Sequence, residues 1–267
     1  MKVMLIGAPA AGKSTYISAS YGHLYYDGIT TDTRRFRHDK DMTLSYNSRL
    51  LEKFNSYRNG YYPLPDADFF RYSMDILWDG KTVGEIEWID MAGGDIFSTS
   101  ARQSTVRRNL RECDAVIAFY AVDNIITHDQ QKFDDTVGMI CEMCELIEYE
   151  IRNRSRPLMV SNVFTKSDLA SQEEKDLIWD QLKEWLTYDG AESITYFTTC
   201  VPPEIPTPVP MVGLMVYAMY YDYYYRGLKD KLRVFKNRKI DNLQSGLINY
   251  LERECPKICW YRWRIKD

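Results

Sequence analysis

The segment that most constrains this chain is Gly7-Ala8-Pro9-Ala10-Ala11-Gly12-Lys13-Ser14, which matches GxxxxGK[ST] and directly follows the apolar run 2–6. Glycines at those two places let the backbone curl into a ring of N–H groups that fits around phosphate oxygens. A helix expected from Lys13 would aim the positive end of its dipole at the same point. Lys13 supplies a point charge for the outer phosphates and Ser14 a hydroxyl for Mg2+. A chance glycine-rich turn is the bland alternative, but the motif sits between a buried-strand pattern and a helix, the context its chemistry requires. Gly7, Ala10, Ala11, Gly12, Lys13, Ser14 and Thr15 are therefore the expected phosphate-binding residues.

The rest of the chain alternates strand and helix patterns. A short helix is expected from Lys13 to about Ser20, stopped near Gly22. Leu44, Leu51 and Phe54 repeat at helical spacing over 43–57, and Asn59-Gly60 ends that helix. Residues 68–78 and 83–89 flank an Asp79-Gly80 turn and read as a hairpin. Buried strands are expected over 114–122 and 157–164, and a final strand over 194–199. Asp123 ends the first of these, a place where most residues serve the loop's own hydrogen bonds. A long helix shows one face at Val137, Ile140, Cys144, Ile147 and Ile151. Ser171 and Glu174 form a capping-box pattern before a helix carrying Leu177, Ile178, Leu182 and Trp185. This alternation predicts an α/β fold with a mostly parallel sheet.

Three segments at expected strand ends bear on the ligand. Asp90-Met91-Ala92-Gly93 is a DxxG: the Asp can hold Mg2+ through water, and the Gly93 N–H can reach a terminal phosphate. Thr165-Lys166-Ser167-Asp168 is a TKxD, whose carboxylate can accept two hydrogen bonds from a guanine edge while the lysine stem covers the base. Thr198-Thr199-Cys200 ends the last strand, where backbone N–H groups can meet the guanine carbonyl. Each signal is short, but all lie where ligands bind in open α/β sheets, outside the carboxyl ends of the strands.

In this order and placement the motifs resemble the Ras-like superfamily of small GTPases over residues 1–226. More loosely, Gly12-Lys13-Ser14-Thr15-Tyr16 and the long insert before the second strand are similar to double-GTPase-type domains of bacterial and phage systems. The Ras-like resemblance implies a three-layer P-loop NTPase fold with a six-stranded sheet, one strand antiparallel, and helices on both faces. It also implies GTP and Mg2+ as ligands and two switch loops that respond to the terminal phosphate. Lys13, Thr30 and Gly93 take the catalytic places, Ser14, Thr30 and Asp90 the metal places, and Thr165, Lys166, Asp168, Thr199 and Cys200 the base-side places. Thr31 and Thr33 compete with Thr30 for the first-switch role. The chain departs from the family at Thr165, where Asn is usual, and at Gly94, where a water-orienting Gln is usual. A glycine has no side chain for that task, so slow or assisted hydrolysis is expected.

The insert over about 34–66 has no counterpart in minimal small GTPases. Its Arg34, Arg35 and Arg37 are read as a solvated loop or an arginine finger in cis. Beyond the expected domain 1–226, residues 227–267 form a basic, aromatic extension. Residues 228–267 carry 11 Lys/Arg against 5 Asp/Glu, although the whole chain has a net charge of −4. The run 226–239, with seven Lys/Arg and one Asp, would suit an anionic partner. The six cysteines include Cys141-x-x-Cys144 inside the helical pattern without a second pair, so reduced thiols are expected rather than a zinc site. The start is too soon interrupted for a signal peptide, and the apolar stretch 209–221 falls short of a membrane span, so a cytoplasmic protein is expected. Two rival readings stand beside the GTPase. One is a P-loop kinase, because GAPAAGKST also opens such enzymes. The other is a GTP-loaded adaptor with little turnover, which Gly94 favours.

Overall fold

The computed structural model describes residues 1–26, 42–63, 70–78, 80–94, 96–97, 101–154, 158–188, 191–199 and 201–202. Thr30, Thr31, Thr33, Cys200, the arginines of the insert, the basic run 226–239 and the extension 227–267 lie outside these residues.

Among the described residues seven strands form one sheet: β1 (Lys2–Gly7), β2 (Met42–Leu44), β3 (Phe70–Trp78), β4 (Lys81–Asp90), β5 (Ala115–Ala121), β6 (Met159–Thr165) and β7 (Glu192–Phe197). Their order is β2-β3-β4-β1-β5-β6-β7. β1 runs parallel to β4 and β5, and β5–β6 and β6–β7 are parallel pairs. β3 pairs antiparallel with both β2 and β4 and, of these seven, alone opposes the rest. The six expected strands and the single reversed strand are thus present. β2 is an added edge strand of three residues.

The central strands β1, β5 and β6 are buried almost without interruption, because helices cover both of their faces. On one face Met4, Ile6, Val116, Ala118, Tyr120, Val160 and Phe164 pack against α3 (Ala101–Glu112), α5 (Gln130–Arg152) and α6 (Gln172–Leu182). On the other, α1 (Lys13–Tyr26) meets the sheet edge-on through Tyr16, whose ring centroid lies 5.4 Å from that of Phe119. α2 (Ser48–Arg58) then packs on α1.

Several expected boundaries move, each for a tertiary reason. α1 does not stop near Gly22 but continues to Tyr26. Gly22 is a contact point: a Cβ there would lie 2.0 Å from Cγ of Phe54 on α2. The helix expected from 43 starts instead at Ser48, where the Asn47 side chain accepts from Leu50 N at 3.1 Å. Leu44 belongs to β2 because 42–44 pair with Ile76–Trp78 across the chain. Thr43 Oγ1 donates to the Leu24 carbonyl at 2.9 Å, tying β2 to the end of α1. The Ser171 capping box is formed, but only Ile178 of the expected apolar face is buried; Leu177 and Trp185 are exposed.

α3 has no counterpart among the sequence expectations. Val106 and Leu110 are its buried apolar residues among those described, too few to show as a period, and polar contacts fix it instead. Asn109 accepts from Arg71 Nη2 at 3.1 Å and donates to Met91 Sδ at 3.7 Å. Arg111 Nε reaches both oxygens of the buried Glu150 on α5 at 3.2 and 3.3 Å. On α5, Cys144 faces inward against the Tyr188 hydroxyl at 3.5 Å, and burial pushes its thiol pKa up to about 11. Among the described residues no group of three His, Cys, Asp or Glu could hold a metal, and no helix is long and apolar enough to cross a membrane.

The α1–α2 contact yields a direct test. Ala is the better helix former by about 1 kcal/mol in an exposed helix. Gly22→Ala should nevertheless destabilise the protein by about 1–3 kcal/mol, because the added methyl drives into Phe54. Urea denaturation measures it, and Phe54→Leu in the Gly22→Ala background should recover part of the loss.

Candidate functional site: a phosphate loop joined to a base-side loop

The candidate site lies where the chain leaves β1. β4 pairs on one side of β1 and β5 on the other, so consecutive connections diverge at this strand and open a crevice at its carboxyl end. The loop fills that crevice. Ala10 (φ 59°) and Gly12 (φ 83°) are left-handed, with Ala11 of ordinary hand between them. Such alternation turns successive N–H groups toward one side and makes an anion-sized concavity. Gly7 is needed for space, since a Cβ there would sit 2.8 Å from the Phe119 carbonyl oxygen. Thr15 is half-buried in the first turn of α1, next to Ser14.

Lys13 is only 7% exposed, and its ammonium donates to the carbonyls of Gly7 at 3.0 Å and Ala8 at 3.3 Å. The charge is therefore held across the mouth of the loop. Ser14 Oγ donates to Asp90 Oδ2 at 3.1 Å. Asp90 is 4% exposed at the end of β4, opposite Leu5 in the register. A hydroxyl beside a buried carboxylate is an all-oxygen donor set of the kind that suits a hard divalent cation such as Mg2+. Three residues on, Gly93 presses on the loop: a Cβ would stand 2.5 Å from Pro9 N and 2.7 Å from Pro9 Cα. Only glycine fits between the second segment and the first. Gly94, by contrast, faces open space: a Cβ there would meet no described atom within 4 Å.

The TKxD segment reaches the same loop. Thr165 ends β6 fully buried, and its hydroxyl donates to the Ala11 carbonyl at 2.8 Å. Its oxygen also lies 3.4 Å from the Tyr120 carbonyl. The Thr165 hydroxyl thereby ties the TKxD segment to the loop 7–14. Lys166 follows in a left-handed conformation (φ 56°, ψ 34°) and opens a short 3-10 turn, Ser167–Leu169. Asp168 is exposed, and its Oδ1 accepts from Thr199 Oγ1 at 2.8 Å. Ser167 N donates to the Thr198 carbonyl at 3.1 Å, so the end of β7 is fastened to the same turn.

The structure thus brings together Gly7, Ala10, Ala11, Gly12, Lys13, Ser14, Asp90, Gly93, Thr165, Lys166, Asp168 and Thr199 at one end of the sheet. Thr30 and Cys200 fall outside the described residues. One neighbour belongs to none of the motifs. Asp123, in the single turn α4 (Val122–Ile125), pairs with Lys166 Nζ at 2.9 Å. Its place just past β5 is the one signal the sequence offers, because the lysine's turn toward it depends on a left-handed backbone that no local pattern announces.

No family model matches this sequence, and no curated protein matches it. Among solved structures, the chain is similar to the signal recognition particle receptor SRb in its complex with GTP and SRX from Chaetomium thermophilum, with 13% identity and a TM-score of 0.41, over 76% of this chain and 95% of that one. It is similar to the G domain of the T. maritima FeoB iron transporter, with 15% identity and a TM-score of 0.31, over 75% of this chain and 87% of that one. It is also similar to the bacterial selenocysteine-specific elongation factor EF-Sec, with 13% identity and a TM-score of 0.37, over 75% of this chain but only 25% of the factor's length.

Proposed function

We propose that this chain binds GTP with Mg2+ and hydrolyses it slowly, as a switch whose loops respond to the terminal phosphate. One observation carries the reading: the buried Thr165 hydroxyl bonds Ala11 of the phosphate loop at 2.8 Å, so TKxD and GxxxxGKS belong to a single cleft. A phosphate loop alone does not select a base. A carboxylate fixed at a set distance from it does, and Asp168, steadied by Thr199, is that group.

In this reading the loop N–H groups and the first turn of α1 take the phosphates, and Lys13 moves its ammonium from the loop carbonyls to the outer phosphate oxygens. Ser14 and Asp90 would hold Mg2+, which would neutralise charge that develops on the phosphates. The Gly93 N–H follows the terminal phosphate because the glycine already lies against Pro9. Water attacks the terminal phosphorus in line, the bond to the bridging oxygen breaks, and GDP and phosphate leave. Lys13 stabilises the charge that gathers on the leaving and equatorial oxygens. Thr30 is the residue we assign to the first switch, and an anionic partner is assigned to the run 226–239. GTP-loaded adaptor behaviour is the second reading, favoured by the open space at Gly94, which lacks a group to orient water.

Lys13→Ala should weaken GTP binding by about a hundredfold, the equivalent of losing two charge-assisted contacts; calorimetry with Mg2+·GTP measures this, and retained affinity would sink the site assignment. Asp168→Asn should shift preference from GTP toward XTP, since the amide presents a donor where the carboxylate accepted. Competition between the two nucleotides reads the change. Gly94→Gln meets no steric obstacle among the described residues and should raise single-turnover hydrolysis by about a hundredfold, the low end for a positioned side chain that assists the attacking water. An unchanged rate with unchanged GTP affinity would favour the adaptor.

A further inference from the structure

Asp123 plays no part in the mechanism above, yet its surroundings are specific. It lies in the first turn of α4, directly after β5. Its Oδ2 accepts from Lys166 Nζ at 2.9 Å, with the two side chains 30% and 33% exposed. Its Oδ1 is buried and has no hydrogen-bond partner among the described residues. Lys166 is left-handed, a conformation disfavoured for any residue with a Cβ, and its neighbours enforce it from both sides. Thr165 is anchored to Ala11, and Ser167 N is anchored to the Thr198 carbonyl at 3.1 Å. The result is a lysine whose tip rests on α4 rather than on the turn that carries it.

We propose that Asp123 is the positioning residue of the purine site: by holding the Lys166 ammonium it stretches the lysine's methylene stem into one wall of the base cleft and keeps that ammonium off Asp168. The proposal rests on the guanine-nucleotide reading. Lys166 and Asp168 are two residues apart around one tight turn, and a loose ammonium is drawn to a bare carboxylate. Asp123 is the more enclosed of the two acids, so its attraction for the ammonium is screened less by water. The charges are sorted accordingly, with Lys166 on Asp123 and the Thr199 hydroxyl on Asp168 at 2.8 Å. Asp168 then keeps acceptor capacity for the base edge. A lysine fixed at its tip presents its stem as an apolar surface, and one ordered before the ligand arrives spares the complex that loss of side-chain freedom.

The test is calorimetric titration of the full chain with Mg2+·GDP, using Asp123→Ala, Asp123→Asn, Asp123→Glu, Lys166→Met and the double variant Asp123→Ala/Lys166→Met. Asp123→Ala should lose about tenfold in GDP affinity, within the range of coupling between contacting residues. Asp123→Asn should lose a similar factor with the shape of the side chain kept, and Asp123→Glu should recover part of it. In the Lys166→Met background, Asp123→Ala should change the affinity by less than about twofold, because a positioning residue has nothing left to position. Losses that multiply in the double variant, or an Asp123→Ala protein that binds like the wild type, overturn the role. If Asp123→Ala fails to fold, as thermal melting would reveal, Asp123→Asn against Lys166→Met supplies the same comparison. A wild-type chain that binds no guanine nucleotide overturns the guanine reading and this proposal together, whereas a binding wild type with an indifferent Asp123 removes the positioning role alone.

Discussion

The hydrogen bond from the buried Thr165 hydroxyl to the Ala11 carbonyl holds together the two halves of the site. Ala11 lies on the phosphate loop and Thr165 at the end of β6, two strands away from β1 in the sheet. Both residues are buried, so the Ala11 carbonyl would lose a partner that water cannot replace if Thr165 moved, and that penalty favours their present separation. In the parallel register β1–β5–β6, Gly7 is opposite Phe119 and Phe119 opposite Val163, so Thr165 stands two residues beyond the end of β1, alongside the loop that follows it. The hydroxyl closes the remaining gap.

On the other side of the loop the constraint is steric rather than polar. Gly93 lies so near Pro9 that no other residue fits, and Asp90 reaches Ser14 at 3.1 Å from a nearly closed environment. Two segments far apart in sequence are therefore pressed onto the loop from β4 and from β6. The segment after Gly93 leads into α3, whose far end is fastened through Asn109 to Arg71 and through Arg111 to the buried Glu150. A buried carboxylate needs such a partner, since removal of the guanidinium would leave its charge uncompensated. The helix is accordingly anchored at its C-terminal half.

The α1–α2 face shows the same economy in apolar terms. Gly22 lets the Phe54 ring settle against the α1 backbone, and Tyr21 bridges to the link between β2 and α2, donating to the Ser45 carbonyl and accepting from Asn47 N, both at 2.7 Å. Residues 42–63 are thereby packed against α1 and paired to the edge of the sheet, although the sequence around them reads as an addition to a minimal fold.

Local sequence determined the glycine-bounded loop 7–14, the hairpin, the buried central strands, the long helix α5 and the Ser171 capping box. In each case the deciding physics acts within a few residues: a backbone ring that needs glycine, an uninterrupted apolar run, a hydroxyl three residues from a carboxylate. The places of DxxG and TKxD at strand ends were legible for the same reason. Tertiary structure alone decided the rest. Gly22 reads as a helix stop until Phe54 is placed against it, and Leu44 reads as helical until residues 42–44 pair with β3. α3 has too few apolar residues to announce itself and is held by long-range polar contacts. The Lys166–Asp123 pair joins residues 43 positions apart, set by a left-handed residue whose conformation is imposed by neighbours on other segments of the sheet. Chain-local preferences amount to a fraction of what one buried contact contributes, so where the two disagree the contact prevails.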